Sequence, residues 1–213
     1  MAYYVGLDLG QSADYTALAV LQSVKERKDK GNFKTVLHLR HLERYPLRTP
    51  YTTIADGVVG VMRSEALNTD AYDPARNRIA KSQVELLVDK TGVGRGVTDI
   101  LKERGLTFTG IVIHGGETAH RSDGSYHVPK KDLVAALEVP FDTGTLKIAE
   151  GLELWPVLRE ELQNFRRKQN PKTPHVSFEH WRESHHDDLV SAVAMACWGS
   201  TARRGNRTLR PIR

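Results

Sequence analysis

Apolar and small residues alternate from Tyr3 and then tighten into a β-branched and leucine-rich run that ends at Gly10, and Thr16 to Val24 repeats the pattern after a polar Gln-Ser-Ala-Asp turn. Beyond a charged loop, Lys25 to Phe33, whose turn is Gly31-Asn32, the alternation returns from Lys34 to Tyr45. Period-two patterning in three consecutive segments predicts an antiparallel three-stranded meander. From Thr52 to Leu67 the apolar positions Ile54, Val58, Val61 and Met62 take helical spacing, with Thr52 or Thr53 placed to cap. Asn68 to Ser82 reads as a polar loop.

The second half changes character. Gln83 to Val88 is a short apolar run that ends at Asp89, followed by a glycine-rich loop from Lys90 to Gly96, a helical stretch to about Arg104 and another apolar strand, Thr107 to Ile113. Strand, helix and strand with short links form a parallel crossover unit. A loop rich in Gly, Ser and His follows, from His114 to Pro129. A helix is then expected over Lys130 to Leu137, an extended piece over Leu146 to Ile148, and an amphipathic helix over Leu152 to Lys168 through Leu154, Val157, Leu158, Leu162 and Phe165. Val176 to Phe178 reads as a last strand. Asp187 to Trp198 closes the pattern as a helix in which Leu189, Val193 and Cys197 share a face, with Ala192, Ala194 and Ala196 allowing close packing on a sheet. The expected fold class is α/β: a mixed sheet, antiparallel meander first and parallel strands after, flanked by helices.

Composition narrows the class. The chain has 213 residues, 39% of them hydrophobic, which suits one well-buried domain, and no apolar run approaches the ~18 residues of a membrane span. The N-terminus lacks the charged and cleavable pattern of a secretory signal, so a soluble, intracellular protein is expected. A lone Cys197 excludes an internal disulfide and a cysteine-based metal site. The formal net charge of +5 resides in residues 201–213, where Arg203, Arg204, Arg207, Arg210 and Arg213 stand without an acid. A domain over 1–200 and a basic, flexible tail over 201–213 suited to phosphates are expected.

Three acidic positions carry the candidate chemistry. Asp8 lies inside an otherwise apolar strand, where an ionised carboxylate is costly without a cation or donors. Asp89 ends a parallel-type strand, the edge at which open α/β sheets place ligands. Asp187 and Asp188 begin a helix that is apolar from there on. Converging at one sheet edge, such acids repel one another unless a divalent cation neutralises them, and two hard cations bridged by carboxylates serve in-line phosphodiester hydrolysis. Each also has a structural reading: Asp8 accepting hydrogen bonds from its own turn, Asp89 opening a turn, Asp187 capping a helix. No glycine precedes a lysine, and Gly92, Gly94 and Gly96 are spaced two apart, so neither common nucleotide-binding loop is present. His175, His180, His185 and His186 lack a cysteine to support zinc, and the neighbouring carboxylates suit hard cations better.

The segments Gly6-Leu7-Asp8-Leu9-Gly10-Gln11-Ser12-Ala13-Asp14-Tyr15-Thr16-Ala17, Val88-Asp89-Lys90-Thr91-Gly92-Val93-Gly94 and His186-Asp187-Asp188-Leu189-Val190-Ser191-Ala192 resemble, in order and spacing, the nuclease domain of the large terminase subunit of tailed bacteriophages. The resemblance spans nearly the whole chain and includes Pro129-Lys130-Lys131-Asp132-Leu133 and the helix through Leu158 and Leu162. It implies an RNase H-like fold and Mg²⁺- or Mn²⁺-dependent cutting of double-stranded DNA during genome packaging in the cytoplasm of an infected bacterium. By that resemblance Asp8 bridges both metals, Asp89 is the second ligand, and Asp187 and Asp188 are the helix carboxylates, with Asp14 and His186 as accessory groups. Many relatives carry another aspartate where this chain has Ser191. Lys130 matches a basic position near the scissile phosphate, and Lys131, Arg203, Arg204 and Arg207 join it as expected DNA contacts. A full terminase large subunit carries an ATPase with Walker motifs, so this chain is expected to be a nuclease domain alone or a stand-alone relative. Its partners are then a packaging ATPase, the small terminase subunit or the portal, with no nucleotide cofactor and no membrane. Three other readings remain open: an actin-like ATPase or sugar kinase, whose first phosphate loop Gly6 to Gly10 also resembles; a Holliday-junction resolvase; and a catalytically silent DNA-packaging module.

Overall fold

The computed structural model describes residues 1–10, 14–27, 32–73, 78–92, 95–169 and 187–205, with the side chains of 71–73, 78, 95, 165–169 and 202–205 left aside. Strands β1 (Ala2–Asp8), β2 (Thr16–Arg27) and β3 (Phe33–Tyr45) form the expected meander, Leu7 facing Leu18 and Thr16 facing Tyr45 across antiparallel ladders. Helix α1 (Tyr51–Arg63) leads through strands β4 (Asp70–Asp73) and β5 (Arg78–Lys81) to β6 (Gln83–Asp89), which lies parallel to β1. Helix α2 (Arg95–Glu103) crosses over to β7 (Thr109–His114), parallel to β6. Strands β8 (His120–Ser122) and β9 (Ser125–Pro129) extend the sheet, then helix α3 (Lys130–Asp142) returns the chain to β10 (Leu146–Ile148) on the far side. Helices α4 (Trp155–Gln169) and α5 (Asp188–Gly205) end the described chain. The main sheet runs in the order β10-β3-β2-β1-β6-β7-β9-β8.

Alternation in the strands divides the core in two. Tyr3, Val5, Leu7, Leu18, Val20, Leu86 and Val88 pack with Ile54, Ala55 and Val58 of α1 and Leu101 of α2 on one face. On the other, Tyr4, Ala17, Ala19, Leu21, Leu87 and Ile111 pack with Leu133 and Leu137 of α3, Leu158 of α4 and the alanine-rich run of α5. The result is a sheet between two helix layers. Helix α5 lies close because β1 offers no side chain at Gly6, where an added Cβ would overlap the Ala192 carbonyl. A bulge interrupts the β2–β3 ladder: Val20 faces His41 and Leu21 faces Leu39, leaving Arg40 as the extra residue. It shifts the alternation of β3 by one, so that Leu37, Leu39 and Leu42 all reach the α5 face.

Several expectations are corrected. The polar segment 68–82 contains the β4–β5 hairpin, whose charged strands show no apolar alternation. The Gly/Ser/His-rich segment contains the β8–β9 hairpin, turning at Asp123 (φ 49°) and Gly124 (φ 72°), both in the left-handed region that a tight hairpin turn requires. Helix α1 has Pro50 at its N-cap and no side-chain cap, rather than Thr52 or Thr53. Helix α3 continues past Leu137 to Asp142 with Pro140 inside it. Helix α5 runs past Trp198 through Arg203 and Arg204 to Gly205, because Ala and Arg favour helix, cations suit a helix C-terminus, and glycine ends it. The last strand expected over Val176 to Phe178 lies outside the described residues. Among the described residues no helix is long and apolar enough to cross a membrane.

Candidate active site

Register alone brings two of the acids together. Leu7 of β1 faces Val88 of β6 in parallel, so Asp8 and Asp89, the next residue of each, end neighbouring strands at the same level. Tyr4 and Leu87 belong to the α5 side of the core, which puts Asp8 and Asp89, an even number of residues further on, on that same face. Asp89 is only 3% exposed and Asp8 is part-buried. The Asp89 Oδ1 accepts the Thr91 N–H at 2.7 Å, and the Thr91 hydroxyl accepts the Ile113 N–H at 2.8 Å, so the turn after β6 is tied to β7. Asp89 therefore opens a turn and also ends β6 at the edge where a ligand was expected.

Helix α5 brings the third acid. Ala192 and Ala196 lie over Gly6, while Gly199 meets Leu87 and Tyr4, so the helix runs from the carboxyl ends of β1 and β6 back towards their starts. Asp188, one turn before Ala192, thus lies at the Asp8 and Asp89 end and is 7% exposed. The carbonyl of Asp187 accepts the Ser191 N–H at 2.9 Å, opening the first turn. Among the described residues no three His, Cys, Asp or Glu side chains form a finished cation cage; the acids share a sheet end and a face.

A residue missed in the sequence completes this end of the fold. Glu161 of α4, 6% exposed, accepts the Leu189 and Val190 N–H groups on Oε2, each at 3.1 Å, and thereby serves as the cap of α5. Its Oε1 meets the Arg44 guanidinium at 3.2 Å, and Arg44 lies over the Tyr15 ring at 4.3 Å. Burial, then the nearby Asp188 and Asp187, push the Glu161 carboxyl up to about 8 against the pull of the Val190 N–H and Arg44. Arg44 can reach it because Asp8 faces Ala17 and Ala17 faces Arg44 across the meander, one row on the α5 face set by the Arg40 bulge. The signal available in the sequence was an acid on the apolar stripe of Leu154, Leu158 and Phe165.

The remaining candidates divide by position. Lys130 begins α3 directly after β9, which is parallel to β7, so it stands at the same sheet edge as the acids. Lys131 pairs with Glu117 in the loop after β7. Asp14 is exposed in the β1–β2 turn, also at this edge. Arg203 and Arg204 are in the last turn of α5, about 24 Å from Asp188 at about 1.5 Å per residue, and so at the other end of the molecule. His186, Arg207 and the histidines 175, 180 and 185 lie outside the described residues.

No protein-family model matches the chain, and no curated protein matches it. Among solved structures it is similar to the large terminase nuclease from thermophilic phage G20c, at 17% identity over 92% of this chain and 80% of that one, with a TM-score of 0.52. It is also similar to RuvC of Thermus thermophilus, at 17% identity over 99% of each chain, with a TM-score of 0.40. The chain thus shares the RNase H-like fold of a phage large-terminase nuclease: one mixed sheet, meander first and parallel strands after, between layers of helices.

Proposed function

We propose that the chain is a divalent-metal-dependent endonuclease for double-stranded DNA, of the kind that cuts the genome during phage packaging. The observation that carries this reading is the meeting of Asp8, Asp89 and the acid pair Asp187–Asp188 at one end and one face of the sheet. Oxygen-only donors, two of them almost fully buried, fit a hard cation. Asp8, Asp89 and Asp188, with Asp187, would hold Mg²⁺ or Mn²⁺, which when bound supplies a Lewis acid for the phosphodiester and lowers the pKa of a bound water. The chain's own residues do the rest: Asp8 and Asp89 set the donor spacing through strand register, Glu161 and Arg44 fix the α5 end, and Lys130 offers a cation to the DNA backbone. Among the described residues no base-reading element stands at this edge, and cutting is expected to have little sequence specificity. A packaging ATPase, the small terminase subunit and the portal are the partners this role implies.

The test is cleavage of supercoiled plasmid, linear duplex and a four-way junction in Mg²⁺, Mn²⁺ or EDTA. Plasmid and linear duplex should be cut with either cation and spared in EDTA. Asp8→Asn should lower the rate by more than the about 10- to 100-fold that follows loss of an outer-shell partner. An Asp8→Asn protein that cuts at the wild-type rate in Mn²⁺ removes the assignment, and a preference for the junction moves it to a resolvase.

A further inference from the structure

Two arginines flank the acids on the meander side of the site. Asp8 faces Ala17 and Ala17 faces Arg44, so Arg44 stands level with the acid and on the same face of the sheet, two interstrand spacings of about 4.8 Å away. Its guanidinium lies over the Tyr15 ring at 4.3 Å and gives one hydrogen bond, from Nη1 to the Glu161 Oε1, at 3.2 Å. A guanidinium carries five N–H donors in a rigid fork, and an arginine that serves a single carboxylate commonly takes both of its oxygens. Here the second oxygen of Glu161 is taken by the Leu189 and Val190 N–H groups. The pair is therefore held at a single point, and most of the fork is left for another acceptor. With the side chain 23% exposed, an acceptor from solution can reach it.

The second arginine follows from where β3 ends. Tyr45 faces Thr16 at the start of β2, so the turn from Pro46 to Pro50 comes out at the sheet edge that carries the acids. Thr49 locks that turn by giving its N–H and its hydroxyl to the Pro46 carbonyl, at 3.2 and 2.7 Å. Arg48 sits in it with φ 65°, left-handed backbone that residues other than Gly, Asn and Asp seldom adopt, and its side chain is exposed. The opposite flank is Lys130, which follows β9, two strands beyond β6 in the sheet order. Asp8 and Asp89 thus lie in the middle of an edge that has cations on both sides. A backbone laid across these strand ends meets a cation before and after the acids, and a guanidinium fork matches the phosphate oxygens that carboxylates cannot bind directly.

We propose that Arg44 and Arg48 bind phosphates of the duplex on the β3 side of the acids, so that its backbone crosses the sheet edge from Arg48 towards Lys130. The proposal rests on the nuclease reading, since it takes the duplex as its ligand. The experiment is binding of a duplex oligonucleotide in EDTA, so that it is not cut, over a series of salt concentrations. Removing Arg44 alone leaves Glu161 without its cation, so Arg44→Gln/Glu161→Gln is compared with Glu161→Gln, while Arg48→Gln, at an exposed position, is compared with the wild type. Each comparison should show about tenfold weaker binding, the worth of one charge-assisted contact. Each should also show a log–log salt slope shallower by about one unit, as one phosphate contact is lost. Arg44→Lys/Glu161→Gln should restore the slope and only part of the affinity, because an ammonium keeps the charge and lacks the fork. Arg104→Gln, whose partner Asp56 belongs to α1 on the opposite face, should keep the wild-type slope. An Arg44 that only holds α5 would change the melting temperature and not the slope. Unchanged slopes in both comparisons overturn the proposal, while plasmid cutting by the wild type with Mn²⁺ still stands for the nuclease. An equal drop for Arg104→Gln overturns it too, since any lost charge would then do. A wild type that binds the duplex with the expected slopes yet leaves plasmid whole in Mg²⁺ and Mn²⁺ overturns the nuclease reading instead.

Discussion

A carboxylate that accepts two backbone N–H groups and a guanidinium ordinarily favours its charged form, and Glu161 shows burial and like charge overriding that preference. Its pKa moves from 4.5 up to about 8. Between those pH values the folded protein keeps a proton that the unfolded chain has released, so this group lowers stability as pH rises through the window; below it both states are protonated and above it both are ionised. Glu161→Gln keeps a carbonyl for the Leu189 and Val190 N–H groups and removes the titration. In EDTA the wild-type melting temperature should therefore fall from about pH 5 to about pH 8 more steeply than that of the variant. Parallel curves would show that the carboxyl is not protonated in the native state. At this scale the sequence exposed Asp8, Asp89 and Asp188, because an acid in an apolar strand or at an apolar helix start is conspicuous. Glu161 escaped notice because its partners are Arg44, 117 residues away, and two backbone groups that no side-chain pattern reports.

Elements with strong periodicity were legible and short polar ones were not. The meander, the β6–α2–β7 crossover and the start of α5 follow from alternation and helical spacing. The β8–β9 hairpin sets His120 opposite His127 through three- and five-residue strands, too short and too polar for period counting, although Asp123-Gly124 was a readable turn. The approach of α5 to β1 was legible on the helix side as alanines and hidden on the strand side in a single glycine. Gly6→Ala puts a Cβ into the Ala192 carbonyl, and backbone cannot step aside as a flexible side chain can. The substitution should cost about 2–3 kcal/mol and lower the melting temperature by about 5–10 °C for a chain of this size. Because Asp188 moves with the helix, cleavage should also weaken in whatever protein remains folded. A Gly6→Ala protein with wild-type melting and cutting would show that the helix is not seated on the strand as described.

Over the whole molecule, α5 separates two charges: acids at its start, arginines at its end. The sequence put the cut at the acids and DNA contacts at the arginines, and linear order does not reveal that the same buried helix spans the distance between them. Truncation after Gly205 leaves α5 whole and removes Arg207, Arg210 and Arg213. It should flatten the salt dependence of duplex binding by up to about three units in log–log slope if each arginine meets a phosphate, with cleavage at saturating DNA little changed. Equal slopes would confine DNA to the acid-bearing edge. The bulge at Arg40 bears on the same edge. If β3 slid by one residue and absorbed Arg40 into a regular ladder, the backbone would remain fully paired, yet Arg44 would turn towards α1 and Glu43 would take its place beside Asp8 and Glu161. That decoy has an intact sheet and a site in which like charges crowd together, so the order Glu43-Arg44 itself discriminates between the two alignments, and a residue touching none of the acids decides which way the strand presents its charge.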